Sequence, residues 1–192
     1  MLKIILSILA IAFSAAACAE TTKEPITFKG VALGKAGANG ALLTLCMEKK
    51  SNYENNIFNS CDRKHFKKNH WSFHTNYGSL GDANVSFELD ETEAIIEIQI
   101  RTLPKPSIPD LVAVMESKYG KPMVTAAAVE NKFGMKFENT IYTWVDVEGN
   151  RITIDSIYDK VTNGRVLIES AARVKALQQL NDILKDAGKA NL

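Results

Sequence analysis

Residues 71–101 read WSFHTNYGSLGDANVSFELDETEAIIEIQIR. The period of this stretch is two. Trp71, Phe73, Thr75 and Tyr77 fall on one side; Ser72, His74 and Asn76 fall on the other. Residues 78–82 turn the chain. Val85, Phe87 and Leu89 then alternate with Asn84, Ser86 and Glu88. After a second turn at 90–93, Ile96, Ile98 and Ile100 alternate with Glu97, Gln99 and Arg101. Such alternation predicts three antiparallel strands with one buried face. That face must be covered by something.

The cover is found on both sides. Downstream, three prolines between 102 and 109 break the sheet, and Ser107-Ile108-Pro109-Asp110 reads as a capping box. Ile108, Leu111, Val112, Met115 and Tyr119 form a helical stripe, which Gly120 and Pro122 end. Upstream, residues 28–34 are apolar and punctuated by glycine. Asn39 can cap a helix over 41–49 that carries Leu42, Leu43, Leu45, Cys46 and Met47. A second strand block spans 137–147, then Ile152 with Ile154, then 166–168. A terminal helix over 171–186 carries Val174, Leu177, Leu180, Ile183 and Leu184, and Gly188 ends it. The fold class is α+β: an antiparallel sheet of about six strands, built from two helix–strand–strand–strand units, with a C-terminal helix. The helices are expected on one sheet face, leaving the other face for a partner.

The first 19 residues have the form of a secretory signal peptide: Lys3, an apolar run over 4–13, then small residues up to Ala19. The run is too short to span a bilayer, which needs about 20 apolar residues. Residues 20–192 then form a single α+β domain. Cleavage after Ala19 yields a soluble, periplasmic or secreted protein. Cleavage after Ala17 would expose Cys18 for lipidation and give an outer-membrane lipoprotein. Ala15 stands where the lipidation motif has a large aliphatic residue, which favours the soluble form.

Of 192 residues, 46% are hydrophobic and 23% charged, with a net charge of +1. This excludes disorder, collagen and disulfide-dense miniature folds, and supplies no field for nucleic acid or anionic membrane. Beyond Cys18 the chain has two cysteines, Cys46 and Cys61. An even pair in an oxidising compartment predicts one disulfide. Closing a loop of that length contributes about 3 kcal/mol.

Phe28-x-Gly30-x-x-Leu33-Gly34, Cys46, and Lys118-Tyr119-Gly120-Lys121-Pro122 together resemble small exported domains and lipoproteins of Gram-negative bacteria and their mobile elements. The resemblance implies an envelope location and a sheet-plus-helix fold. It carries over no catalytic residue.

The chemistry-bearing residues cluster at 51–77. Arg63, Lys64, Lys67 and Lys68 make a basic patch interleaved with Phe66 and Trp71 and adjoining His74. These seven are the candidate binding residues. The partner chemistry they fit is another envelope protein or a cell-wall component, not nucleic acid, with membrane attachment only through Cys18. The competing reading is a hydrolase or metal-dependent protein using Cys61 with His65, His70 and His74. His70 and His74 share one strand face about 13 Å apart, too far for one zinc. Gly30, Gly34, Gly37 and Gly40 lack phosphate-loop spacing and read as turn glycines. Gly-x-Ser-x-Gly and His-Glu-x-x-His do not occur. No cofactor, metal site or catalytic residue is assigned, and the balance leans away from an enzyme.

Overall fold

A computed structural model describes residues 21–22, 24–28, 30–37, 69–76, 82–131 and 133–190. The helix expected over 41–49, both cysteines of the expected disulfide, and Arg63, Lys64, His65, Phe66, Lys67 and Lys68 lie outside the described residues.

The 71–101 reading corresponds to β4 (His70–Asn76), β5 (Asp82–Leu89) and β6 (Ile95–Pro104), paired antiparallel in that order. Helix α1 (Ile108–Tyr119) follows. Next come β7 (Met123–Glu130), β8 (Lys136–Asp146), β9 (Arg151–Asp155) and β10 (Asn163–Glu169), then helix α2 (Ala171–Ala190). The two meanders join where β10 pairs with β6. β1 (Thr21–Thr22) pairs parallel with the end of β8, on the same edge that β7 occupies further along. The sheet has eight strands. β2 (Thr27–Phe28) and β3 (Val31–Ala32) form a separate small hairpin. The fold is therefore α+β and mostly antiparallel, with more strands than the alternation alone predicts.

Register explains the core. Phe87, Ile98, Ile168, Ile152 and Trp144 stand opposite one another across β5, β6, β10, β9 and β8. Val85, Ile100, Val166, Ile154 and Tyr142 form the next row. Both rows face α1 and the β2–β3 hairpin, which contribute Ile108, Tyr119 and Phe28 to one buried cluster, joined by Ile26 and Leu33 on either side of the hairpin. Phe28 meets Phe87 edge to face, ring centroids 5.3 Å apart. Each such side chain contributes about 1.5–3 kcal/mol when fully buried. Tyr119 ends α1 as expected, and Gly120 takes φ 82°. The Gly120 carbonyl accepts a bond of 2.8 Å from Trp144 Nε1, which fastens the helix end to β8.

Four expectations need correction. Ser107 is itself helical and makes no side-chain cap; the prolines instead wind Lys105–Ser107 into a 3-10 turn that feeds α1. The strand before it runs through Pro104, at the end of β6, rather than stopping at Thr102. Ile96 is not an inward residue. Glu88 pairs with Glu97 while Leu89 pairs with Ile95, so Ile96 is the extra residue of a bulge, and Ala94 and Ile95 are buried instead. Finally, α2 runs past Gly188, and only its start meets the sheet: Leu180, Ile183 and Leu184 are exposed.

A second register shift falls between Gly164 and Arg165. A Cβ at Gly164 would come within 2.5 Å of Ile108 Cδ1 and 2.8 Å of the Asp155 carbonyl oxygen. Only glycine lets β10 pass this close beneath the start of α1.

Candidate functional site

The second face of the sheet is polar, because the residues that alternate with the core point away from α1. Its first row runs from His70 through Glu88, Glu97 and Glu169 to Arg151 across β4, β5, β6, β10 and β9. Two guanidiniums serve its three carboxylates. Arg151 grips Glu169, which is 1% exposed, through Nε at 2.8 Å and Nη2 at 2.6 Å. Arg173, from the first turn of α2, reaches Glu97 at 3.2 Å and Glu88 at 3.4 Å. So α1 lies on the apolar face, while the start of α2 bonds residues of the polar one.

This arithmetic of charge leaves Glu97 strained. Burial, the neighbouring Glu88 carboxylate and more weakly Glu169 hold its carboxyl above the ordinary 4.5, against the pull of Arg173. A carboxyl with a raised folded value binds its proton more tightly in the native state. Native stability from this group therefore declines as pH rises from 4.5 through the raised value. Glu97→Gln is expected to remove that decline. Urea midpoints from pH 4.5 to neutrality, compared between wild type and variant, test it; parallel profiles would refute the assignment. Asp90 behaves oppositely. The Thr92 hydroxyl, with the Thr92 and Ala94 amides, holds its carboxyl low and fixes the β5–β6 turn.

Beyond an intervening row of Ser86 and Gln99, the third row holds a cleft of about 490 Å³ lined by Asn84, Arg101, Tyr158, Asp159 and Asn163. Asn84 and Arg101 stand opposite one another on β5 and β6, and Arg165 follows on β10. Asp155 accepts a bond of 2.8 Å from Arg165 Nε, and the Arg165 guanidinium stacks on the Tyr158 ring, 4.2 Å from its centroid. That stack fixes the aromatic wall. Asp159 takes φ 64°, a left-handed conformation that costs a non-glycine residue free energy. The cleft thus combines one cation, one carboxylate, two carboxamides and a phenol, chemistry suited to a polar, peptide-like ligand.

Of the sequence-predicted residues, Trp71 and His74 lie on β4, at the end of the strand order. β4 begins at His70, so His70 and His74 occupy positions of the same face, opposite Glu88 and Asn84. His74 is thereby the register neighbour of a cleft residue. The cleft residues themselves were not picked out by sequence reasoning. Asn84 and Arg101 were legible as outward positions of their strands, but Tyr158, Asp159 and Asn163 carry no pattern that marks them.

Among the described residues, no three His, Cys, Asp or Glu side chains converge as a metal site, and no helix is long and apolar enough to cross a membrane. In comparisons with known proteins, no family model, no curated protein and no solved structure matches the chain.

Proposed function

We propose that the chain is an exported envelope protein that acts as a non-enzymatic binding, inhibitor or accessory module. Its partner is another envelope protein or a cell-wall component. The observation that carries this reading is the polar cleft beside β4, whose charged and amide groups suit peptide-like ligands. The basic residues Arg63, Lys64, Lys67 and Lys68, which precede β4 in sequence, supply positive charge suited to acidic groups of such a partner. The helix expected over 41–49 would complete the first helix–strand–strand–strand unit, and a Cys46–Cys61 disulfide would brace the segment leading into β4.

The test is affinity for isolated cell-wall material and for envelope proteins. Asn84→Ala with Asn163→Ala removes two hydrogen-bonding groups worth about 0.5–1.5 kcal/mol each. Binding is expected to weaken by about 5- to 140-fold, with an unchanged circular dichroism spectrum. Equal binding by wild type and double variant would overturn the cleft assignment. Intact mass before and after alkylation without reductant supplies the companion result. A chain beginning at Glu20 with no alkylated thiol fits the soluble, disulfide-bonded module. A free Cys61 thiol would favour the Cys61–histidine hydrolase, and an acyl group on Cys18 the anchored lipoprotein.

A further inference from the structure

We propose that the outer edge of β7 is a self-association edge, along which a second copy of this chain adds antiparallel and continues the sheet. β7 pairs with β8 at eight successive positions, from Met123 opposite Thr143 to Glu130 opposite Lys136, with no register shift. Among the described residues, no strand pairs with its other edge. A row of backbone N–H and C=O groups therefore faces outward.

Sheet edges are ordinarily blunted by charge, proline, a bulge or a covering element. From Met123 to Val129 the sequence is Met-Val-Thr-Ala-Ala-Ala-Val, with none of the first three. Residues 124–128 are all exposed. Charge sits only at the two ends: Lys121 just before the strand and Glu130 at its close. Antiparallel addition of a second copy brings each Glu130 toward the other copy's Lys121, whereas parallel addition sets like charges side by side. This complementarity selects a copy of the chain, in one direction, as the occupant.

Exposed apolar surface supports the same geometry. Val124 is 55% exposed, and Phe133 and Met135 at the hairpin tip are 76% and 54% exposed. Antiparallel pairing centred near Ala126 sets Glu130 within one residue of the other copy's Lys121 and carries each tip to the other copy's entry into β7. Each copy then covers apolar groups that neither covers alone.

The experiment is sedimentation equilibrium on the full processed chain over a range of concentrations. The wild type is expected to approach the mass of two chains. Ala126→Lys with Ala128→Lys places like charges along the exposed edge and is expected to return the mass of one chain. Ala126→Glu with Ala128→Glu should do the same. Mixing the two variants should restore the two-chain mass, which a folding defect would not do. Three results would overturn the proposal: a wild type that stays at one chain at its highest soluble concentration, a lysine variant that still dimerises, or a mixture that fails to pair.

Discussion

Arg151→Ala is expected to lower the stability of the chain by about 3–5 kcal/mol, the cost of leaving a buried carboxylate without its partner. The variant removes both guanidinium bonds to Glu169, a side chain 1% exposed in the middle of the sheet. Glu97 and Glu88 lie in the same row, so the charge that Arg151 leaves behind is repelled as well as desolvated. Urea unfolding should report a lower midpoint with an unchanged slope. Arg151→Met combined with Glu169→Leu should recover most of the loss, because removing both partners leaves no orphaned charge. A single variant within 1 kcal/mol of wild type would show that solvent or Arg173 compensates Glu169; about 1 kcal/mol is the scale of an exposed pair.

The second large effect belongs to Asp146. Its carboxylate is 2% exposed and accepts four bonds: from the Ile26 amide at 2.7 Å, the Glu148 amide at 2.9 Å, the Asn150 amide at 2.8 Å and Asn150 Nδ2 at 2.9 Å. Asp146→Ala strands the buried Ile26 and Asn150 donors at about 1–3 kcal/mol each, so a loss of about 3–5 kcal/mol is expected. Asp146→Asn keeps the shape but turns an amide N–H₂ toward other donors, and should fall between the two. Hydrogen exchange adds a local reading: the Ile26 amide should lose protection in both variants. If its protection is unchanged, the carboxylate does not hold the N-terminal segment.

What could be read from sequence divides along a physical line. β5, β9, β10 and the stripe of α1 announce themselves because each buries one face and exposes the other. β7 does not, since alanines exposed on both faces leave no alternation to detect. Ile96 misleads for another reason: a bulge changes the phase within a strand, and the phase is invisible until the partner is known. The polar face was anticipated through Glu88 and Glu97. The partners Arg151 with Glu169 and Arg165 with Asp155 were not, because they follow from the register of β10 between β9 and β6. The cleft has the same origin. Asn84 and Asn163 are far apart in the chain and become neighbours only through the β6–β10 pairing.

The bond from the Ile26 amide to Asp146 spans 120 positions, and Ile98 meets Ile168 across the centre of the sheet. Both contacts must wait for nearly the whole chain. Closing such long loops slows folding, because entropy is lost before the contacts repay it. A chain delivered amino end first would hold β4, β5 and β6 as a meander with its apolar face open until β10 arrived. The topology thus sets a schedule: Ile26 is made early but gains its anchor only once Asp146 has followed, and the interval before β10 closes the sheet is when the protein is most open to proteases and chaperones.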